Sequence, residues 1–113
     1  METIRQQKIS RMIQREMSEI FQELTEQMFD NAIINVTQVR VNSDLSHAKI
    51  YVSIYGTKIN KDEIFSRIKQ NEKILNHKLS QRIRNKMRFM PQISFFYDDT
   101  YDYLKRIDEL LKK

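Results

Sequence analysis

Apolar residues return at helical intervals near the start of the chain and at every second position in its middle, and these two rhythms divide it. From Thr3 to about Phe29, Ile9, Ile13, Met17, Ile20, Leu24 and Met28 follow in steps of three and four, with Met12 and Phe21 widening the stripe. That spacing predicts an amphipathic helix, closed by Asp30-Asn31. Ile33 to Val41 is rich in β-branched residues and predicts a strand. Val39 and Val41 share a face while Val36 is out of phase, which predicts a bulge or a strand end covered on both sides. Asn42-Ser43-Asp44 supplies turn chemistry. Ala48, Ile50, Val52 and Ile54 then alternate with Lys49, Tyr51, Ser53 and Tyr55. The short gap between the two runs predicts an antiparallel hairpin whose apolar face needs helices as cover.

Gly56-Thr57-Lys58 ends the hairpin, and Asn60-Lys61-Asp62-Glu63 has the spacing of a capping box. A short helix is expected to dock through Ile64, Phe65 and Ile68. Nothing apolar lies between Ile68 and Ile74, so a break is expected near Asn71, a residue type that tolerates the left-handed conformation. The next helix opens at about Glu72. Leu75, Leu79, Ile83 and Met87 are spaced four apart along it, and Pro91 is expected to stop it. Gln92 to Asp98 predicts a third strand, with Ile93, Phe95 and Tyr97 alternating against Ser94, Phe96 and Asp98. Asp98, Asp99 and Thr100 are cap residues for a last helix with Leu104, Ile107, Leu110 and Leu111 facing inward. A third strand separated from the hairpin by helices predicts an α+β layer with helices on one sheet face. A chain of 113 residues predicts one domain, residues 1–113, burying roughly 65% of its unfolded surface.

Composition narrows the chemistry. One Gly and one Pro limit tight turns and favour long helices. Without Cys there is no disulfide, no Cys-ligated zinc and no thiol nucleophile, which suits a reducing cytosol. No apolar run reads as a signal peptide or as the ~20 residues of a membrane span. His47 and His77 have no ligand spacing with each other or with a nearby carboxylate. Asp98, Asp99 and Asp102 precede a helix, where carboxylates cap backbone N–H groups rather than gather a metal. Gly56 is the only glycine, so no Gly-rich phosphate loop exists, and no nucleophile elbow is present. An enzyme is the class least expected, and neither a cofactor nor a small-molecule substrate is implied.

Charge is concentrated between Arg67 and Pro91. Arg67, Lys69, Lys73, Lys78, Arg82, Arg84, Lys86 and Arg88 face the single acid Glu72, a net +7 in a chain of +5, so the remainder carries −2. On a helix, Lys73, His77, Arg84 and Arg88 fall away from Leu75 and Leu79. Such a row is an electrostatic footprint for phosphate, with Lys73, Lys78, Arg82, Arg84, Lys86 and Arg88 as the candidate RNA-binding set. Four or five phosphate contacts would give a log–log salt slope of roughly −3 to −4. In the first helix, Arg5, Lys8, Arg11 and Arg15 precede Glu16, Glu19, Glu23 and Glu26, the reverse of what the helix dipole favours. That basic half either serves a partner, with Arg5, Lys8 and Arg11 as secondary contacts, or is a solvated face. Tyr51 and Tyr55, outward on the sheet, either stack bases or pack against a terminal helix.

The segment Val39-Arg40-Val41-Asn42-Ser43-Asp44-Leu45-Ser46-His47-Ala48-Lys49-Ile50-Tyr51-Val52-Ser53 resembles the strand–Ser-x-Asp-Leu–Ala-Lys-Val-Tyr-Val hairpin of bacterial ribosome-binding factor A. Pro91-Gln92-Ile93-Ser94-Phe95-Phe96-Tyr97-Asp98 is similar to that family's third strand, Pro-x-Leu-x-Phe-x-x-Asp. Arg106-Ile107-Asp108-Glu109-Leu110-Leu111 resembles its closing helix, and the first helix matches in length and position. The resemblance implies a type II KH-like fold, α-β-β-α-kink-α-β with a C-terminal helix, around a three-stranded sheet. It implies a monomeric, cytoplasmic, non-catalytic assembly factor that matters most in the cold. Its partners would be the immature small ribosomal subunit and its 16S rRNA, whose late maturation and 5′ processing it assists, with no membrane involved. Asn71-Glu72-Lys73 stands where the family's Ala-x-Gly helix kink falls, with neither Ala nor Gly present. The rival expectations are a free-standing KH-like module for mRNA or small RNA, and an adaptor whose basic helix docks an acidic protein.

Overall fold

A computed structural model describes residues 2–56 and 58–111, with the backbone alone at 101–105. Its elements run α1 (Ile4–Met28), β1 (Ile33–Val41), β2 (His47–Tyr55), α2 (Lys61–Gln70), α3 (Glu72–Ile83), β3 (Gln92–Tyr97) and α4 (Thr100–Leu111). The strands lie in the order β1-β2-β3, with β1 antiparallel and β3 parallel to β2. A parallel partner needs a crossover, and α2 with α3 supplies it. The expected α+β layer is therefore present, with α1, α2 and α3 against one sheet face. Among the described residues, no helix is long and apolar enough to cross a membrane.

α1 begins at a reciprocal cap. The Thr3 hydroxyl accepts from the Gln6 N–H, and the Gln6 side chain accepts from the Thr3 N–H at 2.7 Å. The Gln6 amide also donates to the Val41 carbonyl at 3.0 Å, and the Gln14 amide to that of Val36 at 2.9 Å. These two glutamines fix α1 across β1. Behind them Ile13, Met17, Ile20 and Phe21 are fully buried, and the Phe21 ring meets Phe29 and Phe95 edge-on at 5.9 and 5.8 Å. Asp30 and Asn31 turn the chain through positive φ of 52° and 61°, a region these short polar side chains tolerate.

The hairpin register shifts between Val36 and Gln38, leaving a bulge at Thr37. The bulge resets the strand's phase, so Ile34 and Val36 on one side of it and Val39 and Val41 on the other all reach the core. Ala48, Ile50, Val52 and Ile54 are buried as their alternation predicts, and Ile93 and Phe95 of β3 join them. The type of these elements follows from the sequence pattern. Three boundaries and orientations do not.

First, the basic helix stops at Ile83 rather than at Pro91, so Arg84 is its C-cap and Lys86 and Arg88 lie in the connection to β3. The reason is length. β3 spans about 20 Å and α3 about 18 Å, so they match, whereas a helix continued to Met90 would reach about 28 Å and overshoot the sheet. Second, Asn71 breaks the helix without a left-handed residue. It sits at φ −106°, ψ 18°, and its side-chain amide donates to the Arg67 carbonyl at 2.7 Å, capping α2. Third, Leu110 and Leu111 of α4 are 68% and 79% exposed, not inward. The Leu104 side chain and Thr57 lie outside the described residues.

Candidate nucleic-acid interface

The buried stripe Leu75, Leu79 and Ile83 seats α3 on the core and divides its cations between two flanks. Lys78 and Arg82, four residues apart, share the flank that meets α1. Here the Arg82 guanidinium donates to Glu16 at 3.0 Å, to Glu19 at 2.6 Å and to Glu23. The hydrogen bond to Glu16 and those to the other two carboxylates raise the Arg82 pKa, and the same contact holds the Glu16 carboxyl below its ordinary range. Arg82, expected from sequence to face RNA, is instead committed to joining α3 to α1. Three of the four acids in that half of α1, Glu16, Glu19 and Glu23, are accounted for by it.

The other flank of α3 carries Lys73, Asn76, His77 and Ser80. With Met90, Pro91 and Gln92 from the connection and the start of β3, these residues line a depression of about 510 Å³. Lys73 and His77 are exposed. The Asn76 side-chain oxygen is buried there without a hydrogen-bond partner. Arg84 stands exposed at the C-cap, where it continues this flank.

A second depression of about 740 Å³ lies between the first turns of α1, the β1–β2 turn and residues 86–90. Ile9, Met12, Leu45, Met87 and Met90 give it an apolar lining, and Arg5, Lys8, Lys86 and Arg88 stand on it as cations. Met90 lines both depressions, so the two adjoin. Among the described residues, Asp44 is the only carboxylate in either lining. It is occupied by Ser46, whose hydroxyl and N–H donate to it at 2.6 and 3.1 Å and keep its pKa low. This turn holds Leu45 at φ 64° and so presents it to the groove. Phe89 is 75% exposed at the rim, with the Arg88 guanidinium 5.9 Å from its ring centre.

The structure therefore brings together Lys73, Lys86 and Arg88 with the secondary candidates Arg5 and Lys8, and leaves Arg82 out. Arg11 is exposed on α1 beyond the groove lining. Lys86 is shared, since its ammonium also approaches Glu16 at 3.7 Å. Among the described residues, Arg5, Lys8, Lys73, Lys78, Arg84 and Arg88 form no ion pair. Glu72, the acid within the basic stretch, is neutralised by Lys69 at 2.9 Å. Phe89, the Met90 junction and the wall made by Asp44-Leu45-Ser46 are absent from the sequence reading. The available signal was Phe89 itself, a large apolar residue off the four-residue spacing. Such a surface combines the unneutralised charge that phosphates require with a ring face and an apolar floor of the kind on which bases stack.

Tyr51 and Tyr55 are both half-buried. Tyr51 stacks on Phe96, with ring centres 5.5 Å apart, and Tyr55 lies beneath Lys61. The α4 side chains at 101–105, a candidate packing surface for these rings, lie outside the described residues.

Comparison with known proteins identifies relatives across nearly the whole chain. Residues 5–111 match the family model described as ribosome-binding factor A. The ribosome-binding factor A of Cytophaga hutchinsonii is 42% identical over all of this chain and 84% of its own length. The crystal structure of the Thermus thermophilus ribosome-binding factor A superposes with a TM-score of 0.66 at 21% identity, covering 81% of this chain and 94% of that one. A homology model of the same factor, fitted into a cryo-EM map of its 30S complex, gives 0.60 at 24% identity, covering 77% and 88%.

Proposed function

Because the chain belongs to the ribosome-binding factor A family, we propose that it binds the immature small (30S) ribosomal subunit and assists late maturation of 16S rRNA, including processing of the 5′ end. The observation that carries the reading is the pair of adjoining depressions. Five cations, Arg5, Lys8, Lys73, Lys86 and Arg88, stand on them against one already occupied carboxylate. The Thermus thermophilus factor fitted into a 30S complex supports the small subunit as partner. The factor acts in the cytoplasm as a monomer, with no bond chemistry. It holds one rRNA arrangement by binding it better than its competitors. Recognition rests on phosphate and shape, because the helix break at Asn71 lacks the glycines that admit a strand against the backbone.

Sedimentation with purified small-subunit precursors tests this. The protein is expected in the subunit fractions, with a log–log salt slope of about −3 to −4 from five phosphate contacts. Crosslinks are expected from the two depressions to 16S rRNA. A protein that stays in ribosome-free fractions yet binds RNA is a free-standing RNA-binding module. Association that survives nuclease digestion marks an adaptor for an acidic protein.

A further inference from the structure

We propose that the sheet face turned away from α1–α3 is a second RNA-contact surface. It takes phosphates of an unpaired strand on Arg40 and Lys49 and a base beside the Tyr51–Phe96 stack. The inference rests on the RNA-binding reading above and adds a surface across the sheet from α3.

β1, β2 and β3 contain no Asp or Glu at all, while their outward positions include Arg40, His47 and Lys49. Arg40 and Lys49 are direct cross-strand partners, and both are exposed. Like charges placed opposite one another on a sheet repel, so this pair works against the hairpin that carries it. Among the described residues neither has a carboxylate partner. Asp98, beyond the end of β3, is engaged by the Thr37 hydroxyl at 2.6 Å and the Thr100 N–H at 3.0 Å.

One register step along, Tyr51 and Phe96 are partners across β2 and β3 and stack at 5.5 Å with 29° between their planes. The Arg40 guanidinium lies 6.0 Å from the Tyr51 ring centre, and the Lys49 ammonium 5.8 Å from that of Phe96. Lys69 reaches Phe96 at 5.8 Å from the α2 side, sharing its charge with Glu72. A ring face steadies a cation without cancelling its charge, whereas a carboxylate cancels it. The rings therefore hold two long side chains in place while leaving their charge available, which lowers the ordering cost of binding an anion. Sheet stabilisation alone accounts for the ring stack but not for two repelling cations placed over it. Phe96 remains 39% exposed, which leaves ring surface for a base, and stacking tolerates any base.

The test compares two double variants on precursor small subunits. Arg40→Gln with Lys49→Gln should leave thermal stability unchanged or raised, because a repulsion is removed, while weakening association. Its salt slope should flatten by about 1.4, the value for two single-strand phosphates. A benzophenone amino acid in place of Phe96 should crosslink to rRNA. If this slope is unchanged while Lys73→Gln with Arg88→Gln flattens it, the sheet face is not a contact and the groove reading stands. If neither variant changes it, both readings fall. A crosslink from position 96 to a ribosomal protein alone would assign this face to an acidic protein and overturn the inference.

Discussion

Along the middle of α1, Arg82 meets Glu16, Glu19 and Glu23, whereas at its first turns Arg5 and Lys8 share a groove with Lys86 and Arg88 in which Asp44 is the only acid among the described residues. The residue types are the same in both places, and the stretch from Arg67 to Pro91 supplies cations to both. Where α3 packs on α1, carboxylates surround the cation, its charge is spent inside the protein, and the contact fastens two helices. Where the chain leaves α3, carboxylates are sparse. Among the described residues, Lys86 alone approaches one, Glu16 at 3.7 Å, and Asp44 is held by Ser46, so most of the charge remains available to a partner. A count of +7 along the sequence mixes these two uses. Only the neighbours of each cation separate them.

The comparison is tested hardest at Arg82. Arg82→Met should cost about 2 kcal/mol of folding stability, because it strands the nearly buried Glu16 beside two further carboxylates. Arg88→Met should change stability by no more than about 0.5 kcal/mol. Urea unfolding measures both, and equal losses would erase the distinction between the two regions. Next in size, Lys73→Gln with Arg88→Gln should weaken small-subunit association about tenfold at moderate salt, or about 1.4 kcal/mol. Undiminished binding in that variant would remove the groove from the interface.

Acid provides a gentler probe. Arg82 lowers the folded-state pKa of Glu16. The stability this contact confers is therefore complete above the ordinary value of 4.5 and is lost as pH falls through the lowered folded value. Arg82→Met should lack this part of the acid destabilisation in melts recorded across that window. Smallest of all is Lys78→Gln. It lies on the flank of Arg82 but has no carboxylate partner among the described residues, so stability should move by less than about 0.5 kcal/mol. Its salt slope should match the parent protein, and a flatter one would extend the RNA surface onto the α1 side of α3.

Periodicity and turn chemistry read from the residues identified every helix and strand. The out-of-phase Val36 announced the bulge at Thr37, and the apolar gap after Ile68 announced the break at Asn71. The Thr3–Gln6 cap was missed from the residues, although Thr-x-x-Gln is its signature. What failed was extrapolation along one dimension. Four-residue spacing through Met87 continues whether or not the helix does, and Pro91 marks only the last place it can end.

Sequence by itself determined the local elements, the apolar faces they bury and the excess of positive charge, because propensity, periodicity and composition act through near neighbours. Tertiary structure decided where α3 stops, which cations meet carboxylates and which line a common groove. Those outcomes depend on distances between residues far apart in the chain, such as Arg82 with Glu16 and Arg88 with Arg5, and charge neutralisation falls off within a few ångströms.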